Sequence, residues 1–255
     1  MKLYIYTVVC LLFSSVVFAK MDPQEILAAS DAVRNPAFSF GFTNTITEYR
    51  NSQQTDVVNL VIYSNPDSRT GQYRNLIRYV SPIRDANKLM LFNGKDVWFY
   101  DPLGKASIRL SPQQRLIGQA SSGDVATVNL SKDYHAINAS EETILDGEQK
   151  SKVCYKLEIV ANNSDATYDH IDLWVEANTN KPVKAKFYSD SGRLIKSAYY
   201  RHYEKRLGLD WPMETVIIDG LDPKWVTVMQ YSNLAKRDVP ESWLQREYLP
   251  RFKPE

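Results

Sequence analysis

Residues 73–100, YRNLIRYVSPIRDANKLMLFNGKDVWFY, carry the pattern that decides the fold. From Tyr73 to Tyr79 every second residue differs in character from its neighbours, which is the two-residue period of a β-strand. A short apolar run over 88–92 is followed by Asn93-Gly94, a dipeptide typical of tight two-residue hairpins. Residues 97–100 then pair back. The stretch therefore predicts consecutive antiparallel strands joined by short turns.

The same rhythm extends in both directions along the chain. Further alternating or apolar stretches lie at 38–42, 58–62, 106–110, 153–159, 171–175, 183–187, 194–203, 215–219 and 225–231. About ten or eleven strands in series, joined by hairpin-type turns, predict one antiparallel sheet. A sheet of that length must curl or close. The chain is therefore predicted to be mainly β, with a single curved antiparallel sheet that either closes into a barrel or has a few short helices plugging one mouth.

Three segments favour helices instead. Asp22 is a suitable N-cap and Pro23 suits the first helical position, so a helix is predicted from there to Asn35-Pro36. Residues 111–114 predict the start of a second helix, followed by a small, polar loop. A last short helix is predicted to open at Pro240 and to end before Pro250.

The first nineteen residues have the features of a secretory leader. Lys2 precedes an apolar run that ends before Ala19, with Val17 completing a Val-x-Ala cleavage site. A membrane anchor is the competing interpretation, but the run of about 16 residues is short for the ~20 that span a bilayer. We therefore expect residues 1–19 to be a cleaved signal peptide and residues 20–255 to form a single periplasmic domain.

Composition excludes several classes of function. The chain has 31 Lys and Arg against 30 Asp and Glu, and loss of Lys2 leaves the charges balanced, whereas nucleic-acid binding usually requires a basic excess. Beyond the leader only Cys154 remains, which we expect to be a buried small hydrophobe. Motifs for a hydrolase elbow, a zinc protease, a phosphate loop or a dithiol are missing from the sequence. We expect no enzymatic activity, no cofactor and no metal.

The apolar strand faces allow two interpretations, a packed core or a ligand cavity. We favour a cavity, because a sheet of ~11 strands encloses more space than its side chains fill. The predicted lining is Phe38, Phe40, Phe42, Ile77, Tyr79, Leu89, Leu91, Trp98, Tyr100 and Ile108. Residues 113–124 have the composition of a movable lid, with Leu116 and Ile117 as apolar contacts and Gly118 and Gly123 as hinges.

An ordered series of segments resembles the outer-membrane lipoprotein-sorting family related to LolA and LolB, over residues 22–252. The segments are YVSPIRDANKLML at 79–91, DVWFYDP at 96–102, IRLSPQQRL at 108–116, PVKAKFY at 182–188 and GRLIK at 192–196. Where many relatives carry an acidic and aromatic stretch after a helix, this chain has Ser122–Thr127 without an aromatic residue. The resemblance implies a half-open β-barrel plugged by helices, an apolar cavity for acyl chains and a periplasmic location.

Together, the cavity and the resemblance predict a carrier. It would bind a lipid or an acylated lipoprotein as a monomer, contact membranes transiently, and move its cargo between inner-membrane machinery, such as a lipid exporter, and the outer membrane. The alternative is a non-transporting structural or sensory module that uses the barrel to bind a protein. In that case Trp211, Trp225 and Trp243 could form an exposed apolar patch.

Overall fold

A computed structural model describes residues 22–111, 113–164 and 166–253. The predicted signal peptide, residues 1–19, lies outside this range.

Thirteen strands form one antiparallel sheet. They are β1 (Phe40–Arg50), β2 (Gln53–Pro66), β3 (Tyr73–Ser81), β4 (Leu89–Asn93), β5 (Asp96–Asp101), β6 (Ala106–Leu110), β9 (Tyr134–Leu145), β10 (Ser151–Ala161), β11 (His170–Glu176), β12 (Pro182–Tyr188), β13 (Leu194–Arg206), β14 (Leu209–Asp219) and β15 (Trp225–Lys236), with β7 (Arg115–Ile117) and β8 (Ala120–Ser121) forming a separate two-stranded hairpin. Two meanders, β1 to β6 and β9 to β15, join where β1 pairs with β15 from Phe40↔Lys236 to Arg50↔Trp225. The strands β6 and β9 are the two edges, so the curved sheet stays open.

The predicted fold class is confirmed, although the sheet has thirteen strands rather than about eleven. The edge strand β9 illustrates why the count was low. Most of its residues are exposed on both faces, so its sequence lacks the alternation that marks a half-buried strand.

The first helix, α1 (Pro23–Arg34), matches the prediction. Oδ1 of Asp22 accepts a hydrogen bond from the backbone N–H of Gln24 at 3.0 Å, and Pro23 occupies the first turn. Ile26 and Leu27 are fully buried against the sheet. The helix therefore packs its apolar side onto one face of the sheet, here called the inner face.

The helix predicted from residue 111 is wrong. The chain instead forms the hairpin of β7 and β8, followed by two one-turn helices, α2 (Ser122–Val125) and α3 (Leu130–Asp133). Gly118 turns the hairpin with a positive φ of 53°. The capping signal lies later than predicted, where Ser121 and Asp124 form a capping box at the start of α2.

The C-terminus crosses the opposite, outer face as two short 3-10 helices, Glu241–Leu244 and Arg246–Arg251. The prediction that helix would end before Pro250 is wrong, because Pro250 lies inside the second of them. We call residues 239–252 the strap.

Two apolar clusters therefore lie on opposite faces of the sheet. The inner cluster joins α1, residues 117–126 and inner-face side chains such as Phe40, Ile46 and Ile77. The outer cluster joins the strap to Leu76, Leu89, Leu91 and Tyr100.

Candidate functional site

The segment that crosses the hollow of the sheet, residues 115–128, is here called the plug. Its buried apolar side chains are few and mostly small: Ile117, Ala120, Val125 and Ala126. All four belong to the inner cluster. Leu116 and Val128 pack against the same cluster while staying partly exposed. The plug therefore covers the inner face without any aromatic side chain.

Gly118 lets the plug approach β15 closely. A Cβ atom added at Gly118 would lie 2.3 Å from Oγ1 of Thr227, so no larger residue fits without a shift. The next residue, Gln119, donates its backbone N–H to the same Thr227 oxygen at 2.8 Å. The hairpin thus packs directly against the side chains of Thr227 on β15 and Glu48 on β1.

A buried ion pair fixes the middle of the plug. Lys196, on β13, is only 2% exposed and donates to the carbonyl oxygen of Gln119 at 2.9 Å and to the carboxylate of Asp124. Asp124 also accepts from the backbone N–H of Ser121 at 2.7 Å and from the hydroxyl of Tyr168 at 2.8 Å. Burial holds the pKa of Tyr168 well above its ordinary value, so this phenol stays a donor.

A second polar anchor holds the end of the plug. The backbone N–H of Thr127 donates to Oδ1 of Asn75 at 3.1 Å, and Nδ2 of Asn75 donates to the carbonyl oxygen of Thr127 at 3.0 Å. The hydroxyl of Ser64 donates to the same Asn75 oxygen at 2.7 Å and lies 2.8 Å from Oγ1 of Thr127. Most of what positions the plug is therefore directional and polar.

Two cavities remain beneath and beside the plug, of about 100 Å³ and about 210 Å³. Gly123, Val128, Asp133 and Thr167 border both. The smaller one has a largely apolar far wall, formed by Ile171, Phe187, Ile217 and Met229. Each is below the ~300 Å³ at which small-molecule sites begin. In this conformation the plug thus fills most of the hollow.

Half of the predicted lining residues lie on or beside the inner face. Phe40, Phe42, Ile77 and Tyr79 are buried in the inner cluster, and Phe42 also borders a third cavity of about 50 Å³. Phe38 packs against that cluster and borders a separate open groove of about 480 Å³. Whether any of them contacts a ligand stays a prediction.

Four of the other five lie on the outer face, which corrects their predicted placement, whereas Ile108 lies opposite the inner-face Phe99 but at the edge of the sheet. Leu89, Leu91 and Tyr100 are buried in the outer cluster, and Trp98 packs there beneath the guanidinium of Arg246 at 4.0 Å. The run at 88–92 is apolar on both faces, so it has no alternation of apolar and polar residues that could indicate which side faces inward. Ile108 is 54% exposed because it lies on the edge strand β6.

The predicted lid residues all fall in the plug. Ile117 is buried, Leu116 packs against the inner cluster, and a Cβ at Gly123 would lie 3.0 Å from Cβ of Thr167. That Gly118 and Gly123 act as hinges stays a prediction.

Sequence reasoning missed the polar residues that position the plug. Lys196 occupies a buried inner-face position in β13, and Asn44 lies between Phe42 and Ile46 on the inner face of β1. The available signal was a polar residue in a strand at a position whose neighbours two residues away are apolar.

The structure also shows the surroundings of Cys154 and of the three tryptophans near the C-terminus. Cys154 is fully buried beside Trp174 and Val183, and burial raises the pKa of its thiol to about 11. Trp211 is buried in the inner cluster and Trp243 in the outer cluster. The guanidinium carbon of Arg50 lies 3.2 Å from the centroid of the Trp225 ring. The three tryptophans therefore form no common patch.

Across residues 22–111, 113–164 and 166–253, no helix combines the length and hydropathy needed to cross a bilayer. The same residues contain no cluster of three or more side chains able to hold a metal ion.

Comparison with known proteins identifies the family. A family model described as "Uncharacterized protein" matches residues 71–251. A crystal structure of a LolA superfamily protein from Nitrosomonas europaea shares 30% identity at a TM-score of 0.80, covering 90% of this chain and 100% of that one.

Two more distant structures share the fold alone. A DUF1329 family protein from Desulfovibrio piger is 19% identical, with a TM-score of 0.75 over 89% of this chain and 97% of that one. An outer membrane lipoprotein-sorting domain from Vibrio parahaemolyticus is 16% identical, with a TM-score of 0.70 over 89% and 98%. No curated protein matches the sequence. The open curved sheet and its short helices match the Nitrosomonas europaea structure over 90% of this chain. The protein therefore belongs to the LolA superfamily.

Proposed function

We propose that this protein is a periplasmic carrier that binds an acyl chain of a lipid or lipoprotein against the inner face of its sheet. It would transfer that chain between inner-membrane machinery and the outer membrane without covalent chemistry. One observation supports this above the others: the apolar inner face is covered by a plug of small residues that polar contacts hold in place.

The energetics favour exchange of the plug for a ligand. Exposing an acyl chain of ~16 carbons to water costs on the order of 12 kcal/mol, at ~0.8 kcal/mol per methylene. Burying that chain where the plug lay would replace the contacts of Ile117, Ala120, Val125 and Ala126. Release of the plug would carry Asp124 away from the sheet, where water can solvate its carboxylate, while Lys196 would remain on the inner face beside the bound chain.

The remaining parts of the proposal concern the protein in the cell. Residues 1–19 direct export and residues 20–255 act as one domain and as a monomer. The donor is an inner-membrane lipid exporter, and contact with membranes is transient. The similarity to a LolA superfamily protein and to a lipoprotein-sorting domain supports the periplasmic location.

A disulfide that locks the plug tests the proposal. In Gly123→Cys/Thr167→Cys the two Cβ atoms would start 3.0 Å apart, near the ~3.5–4.5 Å of natural disulfides. The probe is the fluorescent dye N-phenyl-1-naphthylamine, displaced by monopalmitoylglycerol, with native mass spectrometry of the purified wild type for bound lipid. We expect the oxidised form to bind at least about tenfold more weakly than the reduced form, a difference of about 1.4 kcal/mol.

The single variant Thr167→Cys is the matched control, because it changes the same side chain without forming the lock. It should bind like the wild type under both conditions. Equal binding by the oxidised and reduced double variant would exclude a moving plug. A wild type that carries no lipid and binds no dye would exclude the carrier.

One feature favours the alternative, a module that binds a protein. The edge strand β9 is twelve residues long, and Ile137 and Leu145 on it are more than half exposed. Such an edge can accept an added strand from a partner. This second function predicts a partner whose binding the oxidised plug lock leaves unchanged.

A further inference from the structure

The inner face carries a buried amide that the protein leaves unbonded. Asn44 lies in the middle of β1, between Phe42 and Ile46, which both belong to the inner cluster. Because side chains two residues apart in a strand share a face, Asn44 also lies on the inner face. Asn44 is 0% exposed, and neither its Oδ1 nor its Nδ2 has a hydrogen-bond partner within the described part of the chain.

Asn75 provides the contrast. It is just as buried, at 1% exposed, but its amide bonds to both the backbone N–H and the carbonyl of Thr127 in the plug. Buried polar groups are almost always paired, and leaving one unpaired destabilises the state that contains it. The plugged conformation therefore satisfies one inner-face asparagine and leaves the other unsatisfied.

Asn44 itself lines none of the four cavities described above, but its neighbours do. Its cross-strand neighbours are Leu60 on β2 and Tyr231 on β15. Tyr231 borders both the 100 Å³ and the 50 Å³ cavities, and Phe42, two residues before Asn44, borders the latter. Val125 and Ala126 of the plug also line that smaller cavity. Movement of the plug would thus open space beside the Asn44 amide.

We propose that Asn44 is the polar subsite of the hollow and recognises the acyl carbonyl of an ester- or amide-linked long chain. This inference rests on the carrier function proposed above. Nδ2 of Asn44 donates to the carbonyl oxygen, and Oδ1 accepts from a hydroxyl or N–H of the group to which the acyl chain is attached. The ligand class is therefore an acylated molecule, and a simple hydrocarbon or alkyl ether would lack the bond.

The alkyl tail has an apolar path from that point. Met229, Ile217, Phe187 and Ile171 line the 100 Å³ cavity on β15, β14, β12 and β11. From β15 to β11 the sheet order β15-β14-β13-β12-β11 gives four strand spacings, or about 19 Å along the sheet. On β13 the same cavity is lined by Ala198 and Tyr200, and Lys196 lies opposite Phe187. A long chain lying across these strands would therefore contact mainly apolar side chains, with Lys196 beside its path.

A pair of ligands that differ by one carbonyl tests the inference. The probes are 1-palmitoylglycerol, an ester, and 1-O-hexadecylglycerol, the ether of equal chain length and the same headgroup. Binding is measured by dye displacement on the full protein. We expect the wild type to prefer the ester by about fivefold to tenfold, as for one buried neutral hydrogen bond.

Asn44→Leu removes the amide at similar volume and is expected to bind both probes equally, with a higher melting temperature in the free state. Asn44→Val serves if the leucine variant does not fold. Equal binding of both probes by the wild type overturns the Asn44 subsite and leaves the carrier intact. A preference for the ester that persists in the Asn44 variants also overturns it. Failure of both probes to bind the wild type overturns the carrier function and, with it, the subsite.

Discussion

The two faces of the sheet are both covered by chain segments, but the covers are attached differently. The strap is held on the outer face by large side chains, since Trp243, Leu244 and Leu249 are buried in the outer cluster, and in addition by a two-bond ion pair between Arg74 and Glu241. Trp243 meets the rings of Tyr63 and Phe252 edge-on, at 5.2 Å and 4.9 Å between centroids.

On the inner face the plug relies on small residues and on buried polar contacts through Lys196, Asp124 and Asn75. Burying a large apolar side chain stabilises by about 1.5–3 kcal/mol wherever it packs. A hydrogen bond or ion pair contributes less, since water replaces it when it breaks. Under the proposed function, the strap would stay in place as part of the core while the plug exchanges with the ligand.

The largest expected effect concerns the strap. Trp243→Ala should lower the free energy of unfolding by about 4 kcal/mol, because it leaves a cavity in the outer cluster. Urea denaturation measures this change. Dye affinity of the folded variant should not change, and Ile83→Ala, at a 95% exposed position, is the control for stability. Weakened dye binding without loss of stability would reverse the roles assigned to the two faces.

A smaller effect is expected at the plug. Lys196→Met leaves the carboxylate of Asp124 without its cation and should destabilise the plugged conformation by about 3 kcal/mol. If the plug is released as proposed, we expect tighter dye binding and a smaller loss in the free energy of unfolding than for Trp243→Ala. Lys184→Met, on the outer face of the neighbouring strand over Trp174, is the matched control and should leave dye binding unchanged. Unaltered dye binding by Lys196→Met would show that the ion pair does not hold the plug.

The smallest effect is a pH dependence where α1 meets α3, just after the plug. Asp31 accepts from the backbone N–H groups of Leu130 and Ser131 at 3.1 and 2.8 Å, and burial raises its pKa above the ordinary 3.8. The folded protein then binds this proton more tightly than the unfolded chain does. Stability from Asp31 is therefore greatest at low pH and is lost as the pH rises through the raised pKa.

Asp31→Asn keeps an oxygen that can accept these hydrogen bonds but removes the ionisable carboxyl group. The unfolding free energy of the wild type minus that of Asp31→Asn should fall as the pH rises from below the ordinary carboxyl pKa of 3.8 through the raised pKa of the folded protein. Carboxylates with lowered pKa values, such as Asp85 and Glu241, make the protein more stable as the pH rises. Their contribution is the same in both proteins, so it cancels in the difference. A difference that grows with pH would contradict the assignment.

Particular residues show how far the sequence predicts this site. The alternation at 73–79 and the Asn93-Gly94 signal correctly predicted paired strands, although the two loop residues are Gly94 and Lys95. The sequence predicted the wrong face for Leu89 and Trp98. The strand β4 is apolar on both sides, and side chains paired across β4 and β5 share a face, so the error in β4 carries over to β5. The segment after residue 111 has no strong period, and its path is set by contacts with distant strands.

The sequence by itself determined the antiparallel sheet, the first helix and the likeness to lipoprotein-sorting proteins, because local period and turn chemistry act over a few residues. Only the tertiary structure decided which apolar face is inner, where the plug lies and which buried polar groups are paired. Lys196 and Asp124 are 72 positions apart, and Asn75 and Thr127 are 52 apart. Such contacts depend on how the sheet curves, since curvature brings β3 and β13 over the same hollow and no local pattern in the chain specifies it.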